Sequence, residues 1–190
     1  MTPANTATAT APPSRITEPL RELVAGIRQT VQRGLAPEPT AQLVAQRLAP
    51  CLGLPGLLLA EHHEGYPDRY RQHVLHAEQD GSFSLVALVW LPGQSTAIHD
   101  HVSWGVTGVH QGEESERRYR LVPGDSTARL VATEDVVSPQ GAVAAFTPPG
   151  DIHLVRNSGT EKAISLHVYG ADVSRLGSSV RRVYDLPADR

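Results

Sequence analysis

Apolar residues recur at helical spacing only near the start of the chain. Leu20, Leu23, Val24, Ile27 and Val31 mark an amphipathic helix between Thr17, a residue suited to the N-cap, and Gly34, suited to the end. Pro37 and Pro39 then interrupt, and the sequence predicts a second helix capped by Thr40, running through Leu43, Val44 and Leu48 and ending before Pro50. Residues 1–14, MTPANTATATAPPS, have low complexity and no apolar period, so they are expected to form a disordered tail. After Tyr70 the period changes to two. Gly and Pro punctuate the chain every 8 to 12 residues, and Asp80-Gly81 between RQHVLHAE and SFSLVALVWL is a hairpin signal. Further turns fall at Pro92-Gly93, Gln111-Gly112, Pro123-Gly124, Pro148-Pro149-Gly150 and Ser158-Gly159. The pattern predicts a mainly β protein, a sandwich or barrel of short antiparallel strands, with two N-terminal helices in a helical segment of about 16–53. No internal repeat accompanies it, and 15–190 reads as one domain.

Composition narrows the partners. The 190 residues carry 17 Lys+Arg against 20 Asp+Glu, a formal charge of -3, which lacks the basic excess of a nucleic-acid or anionic-membrane binder. Neither nucleic acid nor membrane is expected as a partner. No apolar run approaches the roughly 20 residues of a membrane span, the N-terminus lacks a secretory pattern, and a cytoplasmic location is expected. The single cysteine, Cys51, excludes an internal disulfide and a cysteine-built zinc site. The nine histidines are the unusual stock.

Three of those histidines have the spacing of a metal site. His99 and His101 are two apart, so on a strand both imidazoles leave one face about 6.6 Å apart. Both can then reach one ion at about 2.1 Å. His153, just after Pro148-Pro149-Gly150, supplies a third nitrogen from a neighbouring strand. Three protein ligands leave open positions, as in a catalytic site.

The stretches around these residues resemble the two motifs of the cupin superfamily, small jelly-roll barrels with a metal at the centre. Gly93, His99, His101 and Gly112 match the first motif, and Pro148, Gly150, His153 and Asn157 the second. Where many cupins carry a glutamate ligand, this chain has Gly105, so the implied site has three neutral histidines and no carboxylate. More narrowly, HDHVSWGVTGVHQG, PPGDIHLVRN and AISLHVYG resemble the thiol dioxygenases of the cysteine dioxygenase family over about residues 65–170. The resemblance implies a cupin jelly-roll (double-stranded β-helix) barrel and Fe(II) on His99, His101 and His153. It implies a small thiol and O2 as reactants and a sulfinic acid as product. It also implies a network of Ser165, His167 and Tyr169, which at i, i+2 and i+4 share one strand face and can hold or relay a proton. The animal-type enzymes join a cysteine to the tyrosine. Gly105 occupies that position, so Tyr169 is expected to be unmodified.

For the substrate carboxylate, Tyr70-Arg71-Gln72 resembles the 3-mercaptopropionate dioxygenases and points to Gln72, with Arg71 one register away and Arg175, Arg181 and Arg182 as alternative cations. The expected substrate is 3-mercaptopropionate, with cysteine, mercaptosuccinate and cysteamine behind it. Three neutral ligands would leave iron a net 2+ charge favouring an anionic thiolate, and Gly105→Glu is expected to weaken thiolate binding. The rivals are a cupin that binds a metal or small ligand without turnover, and a cupin with another metal and chemistry. His62, His63, His73, His76 and His110 read as surface or satisfied residues, Trp90 and Trp104 as core or pocket wall, and Cys51 as a small buried hydrophobe. Asp100 and Asp151 read as turn or surface residues.

Overall fold

A computed structural model describes residues 16–124 and 127–189. The tail expected at 1–14 lies outside them. Helix α1 spans Glu18–Val31, and the Thr17 hydroxyl accepts the Leu20 N–H at 3.3 Å. Helix α2 spans Pro37–Leu48 and continues as a 3-10 turn over Ala49–Cys51. It therefore starts three residues before the expected cap. Its two prolines sit in the first turn, where a missing N–H costs nothing because no carbonyl precedes to receive it. Thr40 lies inside the helix, its hydroxyl donating to the Ala36 carbonyl at 2.9 Å.

A second 3-10 turn (Ala60–His63) leads to the strands β1 (Arg71–Ala77), β2 (Ser84–Trp90), β3 (His99–His101), β4 (Gly105–Gln111), β5 (Glu113–Val122), β6 (Arg129–Pro139), β7 (Val143–Phe146), β8 (His153–Arg156) and β9 (Ala163–Tyr169). A four-residue helix α3 (Val173–Leu176), β10 (Val180–Val183) and β11 (Ala188–Asp189) complete the described chain. The periodicity missed α3, which is too short to show one; its signals are the Asp172 cap and Gly177 in the left-handed region at its end. The strands form two sheets, ordered β1-β2-β9-β4-β7 and β10-β3-β8-β5-β6-β11. From β2 to β10 the chain alternates between them, apart from the β5–β6 hairpin, which is the winding of a double-stranded β-helix.

Period two fixes what each face holds. In β9, Ile164, Leu166 and Val168 face outward with Leu85, Ala87 and Val89 of β2, and they pack under Leu20, Ile27, Val44 and Leu48 of the two helices. Ser165, His167 and Tyr169 face inward beside Leu88, Val86 and Ser84. Covered on both faces, β2 and β9 are buried along their whole length, as a continuous apolar run such as SLVALVW requires. The loops are tied as well: Gly93 N–H donates to the Asn157 carbonyl at 3.0 Å, and the Asn157 side-chain amide donates to Trp90 and Glu161 carbonyls at 3.1 and 2.8 Å. Gly112 turns with φ +75 against Ala163, where a Cβ would meet backbone at 3.0 Å. Those motif residues hold the frame; the histidines between them hold the site.

Candidate metal centre and its hydrogen-bond network

Strand β3 sends His99 and His101 inward and Asp100 outward. Its partner β8 places His153 directly opposite His99. The three rings lie 4.6 to 5.0 Å apart between centroids, and their available ligand nitrogens converge to within 4.8 Å of one another. All three are buried.

Each ring has one nitrogen already engaged. His99 Nδ1 lies 2.9 Å from the Ala97 carbonyl, His101 Nδ1 3.0 Å from Asp151 Oδ2, and His153 Nδ1 2.7 Å from Glu116 Oε1. Each partner is an acceptor, so the proton resides on Nδ1 and the Nε2 lone pair is left free. His153 Nε2 is buried with no hydrogen-bond partner among the described residues. Burial, with His153 and His101 nearby, pushes the His99 pKa down to about 3, and burial lowers that of His101 despite Asp151. Neutral imidazoles with converging bare nitrogens are what a divalent metal ion requires. The residues fit the group.

The two carboxylates behind the ligands correct the sequence reading. Asp151 is not a turn or surface residue: its side chain is 2% exposed and also accepts the His101 backbone N–H at 2.9 Å. Burial works to raise its pKa, and the His101 bonds more than offset that. Glu116 stands likewise, its pKa drawn down to about 2 against burial by His153 and Arg118. The ligand set contains no carboxylate, but two anions stand one hydrogen bond behind it, so the charge of a divalent ion there is compensated. Asp100 is buried too, held by Arg181 and by the Tyr184 hydroxyl at 2.8 Å on the far side of β3.

Across the barrel, β9 presents a continuous chain of bonds. Trp90 Nε1 donates to Ser165 Oγ at 3.1 Å, Ser165 Oγ lies 2.8 Å from His167 Nε2, and His167 Nδ1 lies 2.9 Å from the Tyr169 hydroxyl. The Tyr169 ring stacks 5.7 Å from His101, which connects the chain to the three-histidine cluster. Burial, reinforced by His101, His153 and His99, lowers the His167 pKa to about 3, and burial raises that of Tyr169. Both stay neutral at physiological pH.

Gly105 pairs directly with Tyr169. A Cβ there would lie 2.2 Å from Phe146 Cζ, and the Phe146 ring packs 4.4 Å from that of His101. Phe146 fills the space a side chain at 105 would need, so Gly105→Glu tests packing before it tests thiolate binding. Cys51 is partly buried on the helix side of the five-stranded sheet, away from Tyr169 on its inner face.

Of the carboxylate contacts expected from sequence, Arg71 and Gln72 separate. Arg71 pairs with Val89 on the outer face, where it reaches Glu64 at 3.3 Å and lies 4.6 Å from the Tyr66 ring. Gln72 pairs with Leu88, on the face that carries Ser165, and is exposed on edge strand β1. Arg175 pairs with Asp172, Arg181 with Asp100, and Arg182 lies 5.6 Å from the Tyr184 ring. A cavity of about 310 Å³ opens at the other edge of the same sheet, along β7, and reaches His153, His167, Glu114 and Glu116. Gln72 is not on its wall. His110 accepts the Gly53 N–H at 3.2 Å, a satisfied histidine as expected.

Residues 65–178 match the cysteine dioxygenase type I family. The chain belongs to that family. Solved structures similar to it include TT1209 from Thermus thermophilus, 22% identical over 58% of this chain and 91% of that one, with a TM-score of 0.42. A cupin superfamily protein from Desulfitobacterium hafniense DCB-2 is 15% identical over 64% and 95% of the two chains (TM-score 0.44). An RmlC-like cupin protein from Desulfovibrio desulfuricans is 21% identical over 59% and 92% (TM-score 0.42).

Proposed function

We propose that this protein is a cytoplasmic Fe(II)-dependent thiol dioxygenase that converts a small thiol carboxylate, 3-mercaptopropionate first among them, to its sulfinate with both oxygen atoms of O2. The supporting observation is the juxtaposition of three converging bare Nε2 atoms with the Ser165–His167–Tyr169 chain, in a member of the cysteine dioxygenase type I family. His99, His101 and His153 would hold the iron, which would supply open coordination positions and a route for electrons from the thiol sulfur, the reductant, to O2.

The protein's own groups do the rest. Asp151 and Glu116 fix the tautomer and aim of two ligands. His167, kept neutral, holds the Tyr169 hydroxyl against the cluster, where that hydroxyl donates a hydrogen bond to the reacting oxygen. Trp90, fully buried, walls the barrel interior beside Ser165, and Phe146 packs against the His101 ring. The register of β1 favours Gln72 over Arg71 as the carboxylate contact, because only Gln72 shares the inner face, and an amide can donate to a carboxylate without adding charge.

Oxygen uptake by the Fe(II)-loaded protein with 3-mercaptopropionate, L-cysteine, mercaptosuccinate and cysteamine, with the sulfinate identified by mass, tests the reading. Preference for 3-mercaptopropionate, shifted toward cysteine in Gln72→Arg, supports it. Preference for cysteine in the parent moves the carboxylate contact to an arginine, and no uptake with any thiol removes the dioxygenase reading in favour of a ligand-binding cupin.

A further inference from the structure

The ligand strand β3 is short and unevenly held. On one side it pairs with β8 at a single position, His99 opposite His153. On the other it pairs with β10 at three: His101 with Val180, Asp100 with Arg182 and His99 with Val183. Two backbone bonds close the ends of that ladder, from Val102 N–H to the Ser179 carbonyl at 3.0 Å and from Tyr184 N–H to the Ile98 carbonyl at 2.9 Å. The 179–184 segment thus supplies most of the strand pairing of β3, and it follows the residues that match the family.

Side chains lock the same contact. Asp100 points away from the barrel between two inward histidines, and its side chain is only 1% exposed. Its Oδ2 accepts the Tyr184 hydroxyl at 2.8 Å and its Oδ1 the Arg181 Nε–H at 3.3 Å. Arg181 is the extra residue of a β-bulge in β10 opposite Asp100, which re-aims its guanidinium at the carboxylate. Tyr184 is buried with Tyr119, Leu130 and Ile152, and Ile98 packs on the same cluster. Ile98 and Ile152 directly precede the ligands His99 and His153.

We propose that the 179–184 segment is part of the metal centre: by holding Asp100, Tyr184 and Arg181 fix the aim of His99 and His101, so that docking of the segment and binding of the metal are coupled.

The coupling follows from the period of a strand. Asp100 and the two histidines leave opposite faces of the same three residues. A rotation of β3 about its axis that withdraws Asp100 from Tyr184 therefore swings both imidazoles off the point where they converge with His153. One pairing with β8 does little against such a rotation. The carboxylate does more, because an unpartnered charge away from water is costly and the hydroxyl and guanidinium relieve that cost only when the segment is docked. Unlike Asp151 and Glu116, Asp100 has no hydrogen bond to a ligand ring among the described residues. Asp100, Tyr184 and Arg181 are thus positioning residues that act through the backbone of β3. The coupling needs a divalent ion on the three histidines and no particular reaction, so it stands or falls apart from the dioxygenase reading.

Chelator competition for Zn(II) in the full chain tests it in the parent, Tyr184→Phe, Arg181→Met and Thr17→Ala. Thr17 caps α1, so its loss lowers stability without touching β3 or β10. Tyr184→Phe should bind Zn(II) about 10-fold more weakly or worse. Arg181→Met should lose less, because that guanidinium is half in solvent, and Thr17→Ala should bind as the parent does. The visible spectrum of the fully Co(II)-loaded Tyr184→Phe protein should also differ from that of the parent, since the ligand nitrogens no longer converge in the same way. Parent affinity in Tyr184→Phe, or equal weakening in Thr17→Ala, overturns the proposal; if Tyr184→Phe does not fold, parent affinity in Arg181→Met does so. The parent protein supplies a second reading by hydrogen exchange. With free Zn(II) about 100-fold above its dissociation constant, the Val102 and Tyr184 amides should exchange about 100-fold more slowly than without metal. An exchange rate that ignores Zn(II) overturns the coupling without any variant.

Discussion

Glu114→Gln should stabilise the fold above neutral pH and do little below pH 5. Folding raises the Glu114 pKa from 4.5 to about 7, so the native state holds its proton more tightly than the unfolded chain. Below 4.5 both states are protonated and the carboxyl carries no penalty. Between 4.5 and 7 the unfolded chain gains stability by ionising while the buried group cannot, and above 7 the penalty is constant. At 1.36 kcal/mol per unit, the 2.5-unit difference amounts to about 3 kcal/mol at pH 8 and under about 1 at pH 5. Glutamine keeps the shape of the side chain without the charge. Urea unfolding of parent and variant at pH 5, 6, 7 and 8 gives the difference directly, and contributions of the other titrating groups cancel between the two proteins. Stability differences that stay flat across that range would refute the burial argument, since the only thing altered between the proteins is a proton-binding site.

Three further outcomes follow from the site. Asp151→Asn and Glu116→Gln should each weaken Fe(II) binding about 10- to 100-fold, measured by chelator competition; unchanged affinity would show that these carboxylates do not orient the ligands. Tyr169→Phe should keep the metal and lose kcat by about 100-fold or more, seen in oxygen uptake, and an intact rate would remove the hydroxyl from the chemistry. Gly105→Ala should cost about 1–3 kcal/mol from overpacking in thermal unfolding, with part of the loss recovered when Phe146 is shortened to leucine in the same chain, because the clash is with that ring.

Features carried by local period were legible in the sequence. Alternation across His99–His101 and Ser165–Tyr169 put each set on one strand face, and Asp80-Gly81 marked the β1–β2 hairpin, where Gly81 has φ +76. Features set by pairing between distant segments were not. Glu116 meets His153 across 37 residues, and Asp151 meets His101 across 50. Either contact needs the β5–β8 and β3–β8 registers, which no local pattern contains. Asp100 and Asp151 looked like solvated neighbours of the ligands because aspartate next to a turn usually is; here Arg181, Tyr184 and His101 hydrogen-bond to them, which permits burial. Glu114 had no sequence signal beyond lying two residues after Gly112. The early start of α2 was hidden by reading Pro37 and Pro39 as breaks, when a first helical turn accepts both.

The carboxylates behind the ligands also make a prediction in which two effects oppose each other. A divalent ion on three neutral imidazoles attracts a thiolate through its full charge, but Glu116 and Asp151 lie one hydrogen bond away in a low-dielectric interior and reduce that attraction. Removing either charge loosens the metal while leaving any metal that remains bound more electropositive. Glu116→Gln at saturating Fe(II) should therefore bind the thiolate more tightly than the parent, even though it holds iron less well. Thiol titration followed by the optical spectrum of the loaded protein, at an iron concentration high enough to fill both proteins, separates the two effects. If thiol affinity falls together with iron affinity, Glu116 acts only by aiming His153 and its charge does not reach the open positions of the metal.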